Sequence, residues 1–174
     1  MRALVPALLV AMATLMCGLI TSGRLARAVE PAIAGVTASG AAADGHAAAA
    51  AVDGDPATYW QSPADSSMQD YRRFLDFDLH GTYSISQIDI TNLAGSYYHY
   101  EVYLSKDGAD YGKVAYKSDD APATGAADTH PIDATEAAYA RISVSYNSAA
   151  QQVNLAEVAF HGTKVSDEQS SPEA

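Results

Sequence analysis

The chain is poor in cysteine, tryptophan and phenylalanine, with one, one and three of them among 174 residues, and it carries only 10 Lys plus Arg against 21 Asp plus Glu. A lone cysteine, Cys17, cannot close an internal disulfide, and it cannot build a Cys-based zinc site, whose ligands come in pairs at set spacing. The shortage of cations leaves a formal net charge of −11. A surface of that sign repels phosphate backbones and the anionic membrane leaflet, both of which are held mainly by Lys and Arg. This argues against nucleic acid as a partner and puts membrane lipid well below uncharged ligands. Long amphipathic helices are also missing: only residues 41–52 have a helical composition, and Gly45 within that Ala-rich stretch limits it to a short turn. Gly-x-Ser-x-Gly, His-Glu-x-x-His and a phosphate-cradling Gly-rich loop are all absent from the sequence.

What the chain does have is tyrosine, 11 of them, in a length that suits one domain with tails. So many β-favouring aromatics argue for a folded β domain and against a disordered acidic chain. The domain does not begin at residue 1. Arg2 precedes an uncharged apolar run over residues 3–20, followed by Ala26-Arg27-Ala28, the small-residue pattern of a secretory cleavage site. Residues 1–28 therefore read as a signal peptide, 29–33 as a short linker, and the protein as secreted; a retained membrane anchor is the competing reading of the same run. Cleavage removes Arg2, Arg24 and Arg27 and no acid, which leaves 7 basic against 21 acidic residues and a net charge of −14. At the other end residues 163–174 are small, polar or charged apart from one Val, and read as a disordered tail. The domain is expected over residues 34–162.

Within it the apolar residues recur with period two. Leu75, Phe77 and Leu79 alternate with Asp76 and Asp78, and Ile88 and Ile90 with Gln87 and Asp89. Tyr98, Tyr100, Val102 and Leu104 form a third series, Ala140, Ile142, Val144 and Tyr146 a fourth, and Val158 and Phe160 a last. Each predicts a strand with one buried face. His80-Gly81, residues 92–96, Lys106-Asp107-Gly108 and residues 119–125 carry the turn signals between them. Short strands at this spacing predict an antiparallel β-sandwich. Trp60 reads as a core anchor, since an indole buries up to about 250 Å², and His99 and His161 read as surface residues of strands.

Paired carboxylates can serve as glycosidase acids only where they flank a cleft about 5–9.5 Å apart with one of them desolvated. Asp76 and Asp78 share the polar face of one strand, and Asp119 and Asp120 lie in a loop of small residues, so both pairs read as structural or solvated. Asp53 and Asp55 differ, because Gly54 and Pro56 bend the run 51–58 into a tight turn rich in hard oxygen donors. Ca²⁺ takes six to eight such oxygens at about 2.3–2.6 Å. The closing half of an EF-hand is missing.

Residues 51–60, Ala-Val-Asp-Gly-Asp-Pro-Ala-Thr-Tyr-Trp, resemble the opening signature of the discoidin, or coagulation-factor type C, modules and their family 32 carbohydrate-binding relatives. Further blocks agree in order. Residues 74–79 resemble that family's Trp-Leu-x-x-Asp-Leu strand, 98–108 its Ser-x-Asp-Gly hairpin, 140–142 its Ala-Arg-Tyr-x-Arg-Ile strand, and 156–162 its closing Glu-x-x-x-x-Gly strand. The resemblance implies an eight-stranded antiparallel jelly-roll β-sandwich of the galactose-binding-domain-like kind, without catalysis. It also implies a structural Ca²⁺ held by the carbonyls of Ala50 and Ala156 and by Asp53, Asp55, Thr58 and Glu157. Phe74 stands where many members have Trp, His80 where many have Gly, and the loop 92–97 lacks the Arg that often holds galactose.

The expected activity is non-catalytic binding of a glycan, either a terminal sugar or a polysaccharide. Sugar sites combine an aromatic face with a few polar groups on loops of a rigid scaffold. Gln61, Tyr71, Arg72, Asn92, Tyr97, Tyr146, Asn147 and Gln151 are the candidates. Two other readings use the same fold: an adhesion module that binds a protein or cell-surface partner, and a binding-domain fragment of a larger glycoside hydrolase.

Overall fold

The period-two alternation becomes antiparallel pairing in a computed structural model that describes residues 30–64 and 73–165. The described residues form eight strands: β1 (Gly35–Ala38), β2 (Trp60–Gln61), β3 (Phe74–Thr91), β4 (Tyr98–Ser105), β5 (Gly112–Lys117), β6 (Ala127–Asn147), β7 (Asn154–Leu155) and β8 (Glu157–Lys164). This is the all-β jelly-roll sandwich that was expected. Its helical content is one 3-10 turn, Ala48–Ala51, within the stretch that allowed no more. No helix among the described residues is long and apolar enough to cross a membrane. The proposed signal peptide lies outside the described residues, as does most of the tail. β8 runs on through Thr163 and Lys164, which pair with Ser84 and Tyr83, because ladder hydrogen bonds require backbone and not apolar side chains.

Two long strands organise the sandwich. The first part of β3 lies between β1 and the second part of β6, with Phe77 opposite Val36 and Ala140. Its second part lies between β8 and the first part of β6, with Ile88 opposite Phe160 and His130. The changeover falls at His80 and Gly81, at φ 53° and 131°, inside a register shift between Asp78 and Tyr83. A non-glycine residue at positive φ followed by a glycine bends the strand, so the sheet folds over on itself. His80-Gly81, expected as a turn between two strands, is thus a kink within one. Across the fold Phe77 meets Phe160 edge-on, ring centroids 5.4 Å apart.

The bulges also explain the phase of the core. Leu75, Phe77, Leu79 and Ile85 are fully buried at odd positions, whereas Ile88 and Ile90 are buried at even ones, and the shift between Ile85 and Gln87 absorbs the extra residue. In β6 the shift opposite His99 and Tyr100 carries Tyr146 off the buried phase of Ala140, Ile142 and Val144. Tyr146, expected in that apolar series, is instead half-buried. Trp60 is 1% exposed, the core anchor expected of it. Asp76 accepts both forks of Arg141, at 2.6 and 2.8 Å, while the guanidinium lies 4.0 Å over Phe74 and 4.5 Å over Tyr111. Such a bidentate, stacked pair ties β3 to β6 and is the structural role read for Asp76.

Candidate functional site

The Asp53 loop is folded by its own side chains. Asp53 Oδ1 accepts the Asp55 N–H at 2.9 Å and Asp55 Oδ1 accepts the Ala57 N–H at 2.9 Å, two successive Asx turns, with Gly54 at φ 80°. Thr58 Oγ1 lies 2.7 Å from Asp53 Oδ2, 3.0 Å from the Asp55 carbonyl and 3.4 Å from the Ala50 carbonyl. From the far end of the domain Glu157 Oε2 accepts the Gly54 N–H at 3.0 Å, across 103 residues of sequence. The loop N–H of Asp55 and the Thr58 hydroxyl hold the Asp53 carboxyl below its ordinary value, whereas burial, with the Asp53 charge adding, pushes Glu157 up.

Of the expected metal ligands, then, the Ala50 carbonyl, Asp53, Asp55 and Thr58 lie along one loop, and Glu157 reaches it from the start of β8. Ala156 is buried beside them, its N–H donating to Thr91 O at 2.9 Å. The donors are all oxygens, the chemistry Ca²⁺ requires. Among the described residues no three His, Cys, Asp or Glu side chains form a metal-holding group. One Asp55 oxygen accepts the Ala57 N–H, and carbonyl and hydroxyl oxygens make up much of the expected set.

A second cluster is aromatic. The Tyr97 and Tyr146 rings stack 5.5 Å apart at 29°, and the His99 ring lies 5.8 Å from the first and 5.2 Å from the second. Period two puts Tyr97 and His99 on one face, and the register sets Tyr146 opposite His99. Tyr97 is fixed twice to Ser148: its N–H donates to Ser148 Oγ at 2.9 Å and its carbonyl accepts the Ser148 N–H at 3.0 Å. His99 Nε2 is 3.1 Å from Asp120 Oδ1, on a carboxylate whose side chain is 72% exposed. A hydrogen bond with the Tyr146 hydroxyl raises the Tyr97 phenol above its ordinary value, so that phenol stays protonated at neutral pH. Three half-buried rings with two hydroxyls, an imidazole and a carboxylate present both an apolar face and polar groups.

The other expected glycan residues are placed differently. Asn92 is 2% exposed and its Nδ2 donates to the Asn154 carbonyl at 3.2 Å; Asn147 donates to the Gln152 carbonyl at 2.9 Å and accepts the Ala149 N–H. Both side chains are used in holding loops. Gln61 pairs with Asn154 in the short β2–β7 ladder, and the exposed Gln151 accepts Arg73 Nη1 on its carbonyl. Tyr71 and Arg72 lie outside the described residues. His99 and Asp120 were not among the candidates; the signal for His99 was its position two residues after Tyr97, on the same face.

The F5/8 type C domain family matches residues 35–158. A family 89 glycoside hydrolase from Clostridium perfringens, solved with 2-acetamido-1,2-dideoxynojirmycin, is 37% identical over 75% of this chain and 14% of that one, with a TM-score of 0.69. The chain thus corresponds to about one seventh of that hydrolase. The CBM32 of AlyQ, in complex with 4,5-unsaturated mannuronic acid, is 25% identical over 76% of this chain and 97% of that one, TM-score 0.65. A pectin-binding carbohydrate-binding module shares the fold at 20% identity, 75% and 91% coverage and TM-score 0.62. No curated protein matches the chain.

Proposed function

The chain belongs to the F5/8 type C domain family, and from that premise we propose that it is an exported, non-catalytic carbohydrate-binding module that takes its glycan on Tyr97, His99 and Tyr146. The observation that carries this reading is the trio of neighbouring, half-buried rings beside Asp120. The flat faces meet the apolar side of a pyranose ring, while the phenol hydroxyls and Asp120 exchange hydrogen bonds with sugar hydroxyls. Rings held by the strand register and by Ser148 lose little freedom on binding, which favours affinity. The 37% identity to part of a glycoside hydrolase and the 25% identity to a module solved with a uronic acid support the ligand class.

The test is a glycan array probed with the wild type, Tyr97→Ala and Tyr146→Ala. Wild-type hits are expected, and each variant is expected to lose tenfold or more in affinity, about 1.4 kcal/mol or more, with its melting temperature nearly kept. A blank wild-type array overturns the glycan reading; hits that survive both substitutions move the site elsewhere.

The same module is proposed to hold a structural Ca²⁺ on the Asp53 loop. Asp53, Asp55 and Glu157 would supply the charge, with Thr58 and the carbonyls of Ala50 and Ala156 completing the oxygen set. Bound there, the ion would neutralise carboxylates and clip together chain segments 103 residues apart. Melting in Ca²⁺ at about 100 times its dissociation constant, compared with chelator, is expected to show about 2.7 kcal/mol of added stability. Glu157→Gln keeps the acceptor for the Gly54 N–H but removes the charge, and is expected to lose most of that gain. No shift in the wild type, or a full shift in Glu157→Gln, contradicts the assignment.

A further inference from the structure

Beyond the aromatic trio, a cleft of about 350 Å³ opens between residues 116–119 at the end of β5 and residues 128–130 of β6. Its mouth carries Tyr116, which is 63% exposed and the one large hydrophobic side chain exposed among the described residues. Its wall carries Lys117, whose side chain is only 13% exposed and whose Nζ lies 3.3 Å from Asp119 Oδ1 and 3.4 Å from Asp128 Oδ2. Two lining residues are held by a buried neighbour: the Tyr100 hydroxyl is 2.8 Å from His130 Nε2 and 3.3 Å from Asp128 Oδ2. Burial and the Asp128 charge keep the Tyr100 phenol protonated, and burial pushes the His130 imidazole down toward its neutral form. With Tyr100 donating to Asp128, its oxygen accepts from His130 Nε2–H.

The lining thus alternates donors and acceptors at one wall: an ammonium between two carboxylates, beside an uncharged imidazole. A hydroxyl both donates and accepts, so adjacent hydroxyls of one ring can bridge Lys117 to Asp119 or Asp128 without displacing the ion pairs. Tyr116 supplies the apolar face. The wall holds two carboxylates against one ammonium, so a ligand with its own carboxylate meets net repulsion there. We propose that this cleft is a second sugar site, separate from the Tyr97–His99–Tyr146 platform and selective for neutral sugars over uronic acids. For its ligand class this rests on the carbohydrate-binding reading. Consecutive residues link the two sites: Asp119 lines the cleft and Asp120 meets His99. A glycan chain that reached both would bind with the avidity of two linked contacts.

The test is an amide NMR titration of the full chain with N-acetylglucosamine, galactose and galacturonate in turn. Neutral sugars are expected to shift the amides of residues 116–119 and 128–130, and to do so equally in Tyr146→Ala. Tyr116→Ala, a change at an exposed position that leaves the core intact, is expected to weaken those shifts about tenfold, while shifts at residues 97–99 persist. Shifts confined to residues 97–99 and 146–148 overturn the second site and leave the module's glycan reading standing. Galacturonate acting on the cleft as strongly as galactose overturns the selectivity, and no shift anywhere with any sugar overturns both readings.

Discussion

Trp60→Ala is expected to lower the unfolding free energy by about 3–5 kcal/mol, the range for truncating a buried aromatic. Trp60 is 1% exposed, sits opposite Leu155 in the β2–β7 ladder, and joins a core that includes the fully buried Ala51 on the far side of the Asp53 loop. Loss of the indole removes the packing that holds both ends of that loop, since β2 begins two residues after Thr58 and β7 ends two residues before Glu157. Under the proposed calcium reading, any stabilisation by added Ca²⁺ is expected to shrink together with the basal stability. The indole Nε1–H is buried without a hydrogen-bond partner. Trp60→Phe deletes that unsatisfied donor along with the volume, and the two effects oppose each other, so it should cost clearly less than the Ala variant. Urea unfolding of the three proteins checks the order. A cost below about 1 kcal/mol for Trp60→Ala would show that the β2–β7 ladder is not anchored by this side chain.

A comparable loss is expected from a single methyl group at Gly162. A Cβ there would lie 2.4 Å from the Ser84 carbonyl oxygen and 3.0 Å from Ile85 Cα. Those atoms are backbone of the paired strand, at the register shift between Ile85 and Gln87, and no side-chain rotation relieves them. Overpacking of this kind costs about 1–3 kcal/mol and more where backbone must move, so Gly162→Ala belongs at or above the top of that range. The cause is lack of space and not conformational freedom, because Gly162 has ordinary negative φ. Gly35→Ala is the matched control: nothing lies within 4 Å of its Cβ, and β1 should accept it within about 0.5 kcal/mol. Equal melting temperatures for the two variants would contradict the β3–β8 register.

The fold was legible wherever large apolar residues alternate without interruption. The series from Leu75, from Tyr98 and from Ala140 all fall on buried faces up to the point where a bulge intervenes. Bulges were not legible, because one inserted residue changes phase without leaving a composition signal. His80-Gly81 therefore read as a turn, and Tyr146, also a glycan candidate, as the end of a buried series. The first part of β6 was missed for another reason. Residues 127–136 contain Pro131 and hydrophilic residues at most positions, yet they pair on one side only, with β3, and an edge position tolerates both.

At the candidate site, local chemistry could be read and long-range use could not. Asp-Gly-Asp announces its own turn, and Glu157 came within reach through the family resemblance, so the oxygen-rich loop was assembled in advance. Asn92 and Asn147 look like sugar-binding amides in a sequence, but loops also need amides to satisfy buried carbonyls, and only the tertiary contacts tell the two uses apart. His99 read as a lone surface residue because its partners, Tyr146 and Asp120, are 47 and 21 residues away.

The most direct measurement is a crystal structure of the protein with the tightest-binding glycan from the array. A pyranose ring stacked against Tyr97 and Tyr146, with a hydroxyl within hydrogen-bond distance of Asp120, is the predicted result. Clear density for the sugar elsewhere on the surface, with the Tyr97–His99–Tyr146 platform bare, would contradict it.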